Sequence, residues 1–165
     1  MSEFHYIQHY SLALQEQVRQ LQAQNKLEDY FDSRYPRSHA IQTSKALFVY
    51  CNDIKQRYMR NVSALAKVTY DSRLTMQQHA FGLNTSISRV QGGKLTTKKE
   101  IRISDLFKKM PEAFLRMIVV HELAHMKERD HNKAFYQLCE HMEPNYHQLE
   151  FDCRVYLSWQ AMTDV

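Results

Sequence analysis

The chain contains three glycines, and all of them (Gly82, Gly92 and Gly93) fall within twelve consecutive residues. Glycine bends a chain tightly at little steric cost, so the stretches on either side of this window must use elements that need few tight turns. Average proteins use glycine at about 7%, and three in 165 residues is well below that. Long helices flanking one turn-rich section are therefore expected. The predicted class is α+β: N-terminal helices, a small antiparallel sheet, then helices again.

The hydrophobic periods agree. Ile7, Tyr10, Leu14, Val18 and Leu21 step by three and four, which predicts an amphipathic helix ending before Tyr35-Pro36. Leu47, Cys51, Ile54 and Tyr58 predict a second helix from about Ser44 to Arg60. Between Ala66 and Ile103, alternations at Val68–Tyr70, Phe81–Val90 and Glu100–Ile103 predict strands, with hairpin turns at the glycines. The helical period returns after Pro111, and Pro144 separates two further helices. With no repeat or linker, residues 1–165 read as one domain: an N-terminal helical part, 1–60, and a core, 61–165.

Bulk properties bound the partners. The formal charge is +4, and the segment Arg89 to Arg102 carries as much by itself: Arg89, Lys94, Lys98, Lys99 and Arg102 against Glu100. That makes an anionic partner easy to attract without proving nucleic-acid binding. Cys51, Cys139 and Cys153 are odd in number and form no C-x-x-C pair, so a reduced cytoplasmic setting is expected. The N-terminal residues show no secretory pattern, and the apolar runs Ala46–Cys51 and Met117–Val120 are too short to span a bilayer.

Five of the nine histidines lie between His121 and His147, and the run IVVHELAHMKERDH contains H-E-x-x-H at His121, Glu122 and His125. On a helix, residues four apart lie about 40° apart on one face, so both imidazoles can reach one tetrahedral ion. Glu122 stands beside the first ligand, placed to take a proton from water. His131 is the preferred third ligand, because the polar turn Lys127–Asp130 can aim it back at the pair; Glu140, Glu143 and Glu150 are rivals. Three histidines leave a coordination position open, as catalytic zinc requires. His141 and His147 read as surface or supporting residues, Cys139 and Cys153 as small core residues, and His5, His9, His39 and His79 as unremarkable. The basic segment is either a solvated face or a substrate-contacting rim. Gly92-Gly93-Lys94 is either a hairpin turn or a phosphate nest.

The stretches SRVQGGKLTTKKEIRISDLF and MPEAFLRMIVVHELAHMKERDHNKAFYQLCEHMEPNYHQLEFDCRVYL resemble the YgjP-like family of metal-dependent hydrolases over nearly the whole chain. That family is itself similar to SprT-type and small gluzincin-type zinc metallopeptidases, in which a short sheet packs beside the H-E-x-x-H helix. The resemblance implies that His121 and His125 bind zinc, that Glu122 is the catalytic base and that His131 is the third histidine. One departure stands out: many relatives carry Trp-Gly-Ser-Cys where this chain has Val90-Gln91-Gly92-Gly93. Two reactions are implied. The motif suggests peptide hydrolysis, whereas the resemblance also implies cleavage of a nucleoside triphosphate, UTP, to the monophosphate and pyrophosphate. The basic segment favours the second, with Arg89, Lys94, Lys98, Lys99 and Arg102 as candidate substrate contacts. A nucleic-acid-binding module with structural zinc is a minor third reading. No membrane partner is expected, other divalent metals remain possible, and the oligomeric state is left open.

Overall fold

The computed structural model describes residues 4–74, 88–91, 94–97 and 99–163, with 88–91 and 94–97 described as backbone strands. The N-terminal region is divided more finely than its periodicity predicts. A 3₁₀ turn at His5–Ile7 precedes α1 (Leu12–Ala23), and α2 spans Leu27–Arg34. Two residues make the divisions. The Ser11 side chain accepts a hydrogen bond from the Leu14 amide at 3.3 Å and caps α1. Asn25 then takes a left-handed conformation (φ 56°), which asparagine tolerates better than most residues and which stops the helix.

Helix α3 (Ser44–Tyr58) starts at Thr43, whose hydroxyl accepts from the Ala46 amide at 3.1 Å. It buries Leu47, Cys51 and Ile54. Lys55 is buried too, and its ammonium donates to the Val62 carbonyl at 2.8 Å, tying off the chain that leaves the helix.

Among the described residues four strands follow: β1 (Lys67–Asp71), β2 (Ser88–Gln91), β3 (Lys94–Thr97) and β4 (Glu100–Ser104). β2 and β3 pair antiparallel with Gln91 opposite Lys94; the turn expected at Gly92-Gly93 lies outside the described residues. β1 and β4 pair parallel, Lys67 opposite Glu100 through Asp71 opposite Ser104, which corrects the all-antiparallel expectation. The physical reason is the length of the intervening chain. Residues 72–99 are ample for the crossover a parallel pair needs, and the β2–β3 hairpin lies within them. The expected alternation from Phe81 lies outside the described residues as far as Ile87.

Helix α4 (Glu112–His125) begins after Pro111 and is buried on almost every side. It packs against α3, β4, α5 (Lys133–Met142) and α6 (Tyr146–Thr163). Phe114, Leu115, Ile118 and Val120 are fully buried, each contributing about 1.5–3 kcal/mol of hydrophobic stabilisation. Such a helix is held rigidly along its whole length, which suits it to carry a site. Arg116 is its polar exception: it donates to Glu143 at 3.2 Å and to the Met142 carbonyl at 3.0 Å, fastening α4 to the end of α5.

The N-terminal helices close onto α6. Phe31 stacks on Trp159 at 5.6 Å between ring centroids and meets Tyr156 edge-on at 5.2 Å. Tyr30 and Tyr35 both donate to Asp152. Among the described residues, no helix is long and apolar enough to cross a membrane.

Candidate metal centre

The centre is built from the last turn of α4 and the loop behind it. His121 and His125 are 4% and 5% exposed, buried because the helix that carries them is buried. After His125 the chain turns tightly, with the Glu128 amide donating to the Ala124 carbonyl at 2.9 Å. Asn132 then caps α5, its side chain accepting from the Phe135 amide at 2.9 Å. That cap fixes the residue just before it, His131, which returns over the pair.

Nε2 of His125 lies 3.2 Å from Nε2 of His121 and 2.9 Å from Nε2 of His131. These three histidines are the His, Cys, Asp or Glu group among the described residues that could hold a metal ion, with donor atoms all within 4.8 Å. Phe135, fully buried, lies against all three rings at 4.5–5.1 Å between centroids and forms an apolar floor.

The protonation of the rings suits a cation. Nδ1 of His125 lies 3.0 Å from the Glu128 carbonyl, which can only accept, so Nδ1 carries the hydrogen and Nε2 presents a lone pair. Burial pulls the His125 pKa down to about 4, partly offset by that same carbonyl. His131, at the exposed edge of the group, is also lowered by burial of its ring. Neutral imidazoles whose lone pairs converge repel one another unless a positive centre lies among them. Tetrahedral coordination at about 2.0–2.1 Å separates ligand nitrogens by about 3.3 Å, close to what is seen. The donor set therefore fits a metal ion.

Glu122, 4% exposed, lies on the same helix turn as the ligands. On the far side of the centre, Nδ1 of His121 is 2.7 Å from the hydroxyl of Tyr146, a fully buried residue at the start of α6. Burial first, and then Glu150, push the Tyr146 phenol well above its ordinary pKa, so it keeps its proton. Sequence reasoning named neither Tyr146 nor Phe135. Tyr146 stands twenty-five residues beyond His121, too far for local spacing to reveal.

The rival ligands are occupied elsewhere. Glu140 pairs with His147 at 2.8 Å, Glu143 with Arg116, and Glu150 with Arg154 at 2.9 Å. His141 packs edge-on against Tyr58 at 5.4 Å, while the His39 ring bonds the Phe107 carbonyl at 2.8 Å. Cys51, Cys139 and Cys153 are free and buried.

The basic segment divides. The Lys99 ammonium donates to the Met126 carbonyl at 2.8 Å, against the end of α4 and one residue beyond His125. Arg102 sits 3.7 Å from Asp71, a carboxylate held below its ordinary pKa chiefly by hydrogen bonds from Arg73. Arg89 and Lys94 lie on β2 and β3, with side chains outside the described set, and Lys98 falls outside the described residues.

Residues 4–152 match the family described as YgjP-like, metallopeptidase domain. A protein of Escherichia coli (strain K12) named UTP pyrophosphatase is 53% identical over 158 residues, covering 96% of this chain and 95% of its own length. No solved structure matches the chain significantly. A match over most of the chain, together with identity at that level, establishes that this protein is a hydrolase belonging to the YgjP-like family.

Proposed function

We propose that the chain is a cytoplasmic zinc-dependent hydrolase that cleaves UTP to UMP and pyrophosphate. The observation that carries the metal reading is the convergence of Nε2 of His121 and His125, on the buried end of α4, with Nε2 of His131 from the loop before α5. The substrate reading rests on the UTP pyrophosphatase relative, 53% identical over 96% of this chain. Zinc is chosen over nickel, cobalt or copper because imidazole sites accept all of them and zinc is commonly available. The free, buried cysteines suit a reduced compartment.

His121, His125 and His131 would hold the ion. When bound, zinc supplies Lewis acidity, polarising a phosphoryl oxygen and making water a usable nucleophile near neutral pH. The rest falls to the protein. Glu122 takes a proton from the attacking water and returns it to the leaving group; its burial strengthens that exchange by keeping bulk water away. Water adds at the α-phosphorus, the bond from that phosphorus to the bridging oxygen breaks, and pyrophosphate leaves with the electron pair. A triphosphate brings about four negative charges, so cations must face it. Arg89, Lys94 and Lys98 are the proposed contacts. Lys99 and Arg102 contribute mainly through the field they add, since each already engages a protein oxygen.

The test is pyrophosphate release from UTP by the zinc-loaded protein. Glu122→Gln is expected to lower that rate by about 10²–10⁴-fold while zinc stays bound. Zinc-loaded wild type that releases no pyrophosphate from any nucleotide sinks the proposal. A second reading, peptide hydrolysis, is favoured by the family's description as a metallopeptidase domain. It predicts cleavage of an unfolded protein substrate that Glu122→Gln abolishes.

A further inference from the structure

Helix α4 supplies two ligands, and the third comes from the loop that leaves it, so the centre depends on how that loop is held. His121 and His125 are fixed by the burial of α4. His131 is exposed, as are Lys127, Arg129 and Asp130 before it, so burial does little to hold this stretch. The last carbonyls of a helix have no amide partner within it. Here the Leu123 carbonyl accepts from the Met126 amide at 3.0 Å, and the Ala124 carbonyl accepts from those of Lys127 and Glu128 at 3.1 and 2.9 Å. The Met126 carbonyl accepts from the Lys99 ammonium at 2.8 Å. Lys99 comes from outside both flanking helices. Its own carbonyl accepts from the Ala66 amide at 2.9 Å, and the next residue opens β4, which pairs with β1. Its backbone is therefore anchored at the sheet, and its ammonium lies at a helix C-terminus, where open carbonyls and the helix dipole favour a cation.

We infer that Lys99 is a positioning residue: by holding the Met126 carbonyl it fixes the turn between the second and third ligands, and so sets where His131 meets the metal. This rests on the metal reading above. It gives Lys99, one of the candidate substrate contacts, a role that needs no substrate. Metal–ligand distances are tolerated within about 0.2 Å. Nε2 of His131 must come to 2.9 Å from that of His125 after six residues of chain, so a slack turn is felt at the metal.

Lys99→Met removes the ammonium and keeps an unbranched side chain of similar reach. Charge and position act in opposite directions here. An ammonium by itself repels a cation bound nearby, so its loss through the field alone raises metal affinity. A fall in affinity therefore reports position. Zinc affinity of the full-length protein, measured by chelator competition without nucleotide, is expected to fall about 10-fold in Lys99→Met, the lower end of what supporting partners of metal ligands contribute. Lys99→Arg, which still donates to a carbonyl, should restore it. In metal-free protein, hydrogen exchange at the Lys127 and Glu128 amides should quicken in Lys99→Met while the interior of α4 is unchanged. In a His131→Ala background, Lys99→Met should have no further effect on zinc, because it acts through the lost ligand. Folded Lys99→Met that binds zinc within about twofold of wild type, or more tightly, overturns the inference; a pure substrate contact predicts that result together with a raised KM for UTP. An equal loss in Lys99→Arg, unchanged exchange, or additive losses with His131→Ala also overturn it. Zinc binding that survives His131→Ala undiminished overturns the metal reading at its third ligand and this inference with it; zinc lost in His131→Ala but kept in Lys99→Met overturns this inference only.

Discussion

Two carboxylates on α6, Glu150 and Asp152, stand two residues apart and so face about 200° away from each other around the helix. Both are buried, but Asp152 accepts from tyrosine hydroxyls whereas Glu150 accepts from Arg154. Asp152 accepts from Tyr30 at 3.0 Å, from Tyr35, and from Gln148 at 3.0 Å. Tyr30 in turn accepts from Arg34 at 3.1 Å on the exposed surface of α2. That network closes on itself and joins the N-terminal helices to the last one. Glu150 instead pairs with Arg154 at 2.9 Å, on the same helix face as Tyr146, whose hydroxyl meets a ring nitrogen of His121. Burial and residue type are nearly the same, so neither distinguishes a clamp from a site support. The group that each helix face meets does.

The largest effect expected on the clamp side comes from Asp152→Ala. Two tyrosine hydroxyls and an amide lose their acceptor, and each buried donor left without one costs about 1–3 kcal/mol. Partial exposure of both tyrosines reduces this, so a loss of about 2–4 kcal/mol in urea unfolding is expected. Zinc affinity should not change. If Asp152→Ala weakens zinc as much as Tyr146→Phe does, the two faces of α6 are not separate devices and the comparison fails.

How far these networks were legible in the sequence differs for the same reason. Helical spacing grouped His121 with His125, and a polar turn pointed to His131, because those relations span at most ten residues. The helix boundaries at Ser44 and Pro144 were readable from local period and proline chemistry. The parallel pairing of β1 with β4 was not, since the register of strands separated by residues 72–99 depends on tertiary packing. Tyr146 and Asp152 were illegible likewise: their partners lie 25 and more than 100 residues away. The triplet Tyr146, Glu150 and Arg154 did leave a trace, a polar stripe repeating every four residues on a helix that otherwise buries Leu149, Cys153 and Val155. Glu150 was weighed as a ligand because a carboxylate near a histidine cluster is ambiguous until its partner is seen.

A smaller effect sharpens the clamp side. Tyr35→Phe removes one donor from Asp152 and leaves the ring among Phe114 and its neighbours, so about 1 kcal/mol is expected. Tyr146→Phe, the same chemical change on the other face, should differ from it in kind, shifting zinc affinity as well as stability. Equal zinc affinities for the two variants would erase the distinction.

The smallest expected effect is in alkaline solution and concerns Tyr30. Burial first, and then the Asp152 carboxylate, raise its pKa from 10.0 to about 12. Between those values the unfolded chain has released this proton and the folded protein has not. The folded state binds more protons there, so stability falls as pH rises. The contribution is whole below about pH 10 and is lost as pH passes about 12. Thermal unfolding of wild type should therefore drop more steeply from pH 9 to 11 than that of Tyr30→Phe. The difference should be no more than about 2–4 °C, the shift that about 1 kcal/mol produces in a domain of this size. Other raised tyrosines, Tyr10 and Tyr50 among them, titrate in both proteins and cancel in the comparison. Parallel pH profiles for the two proteins would show that the carboxylate does not hold the Tyr30 proton, and that the clamp acts through packing alone.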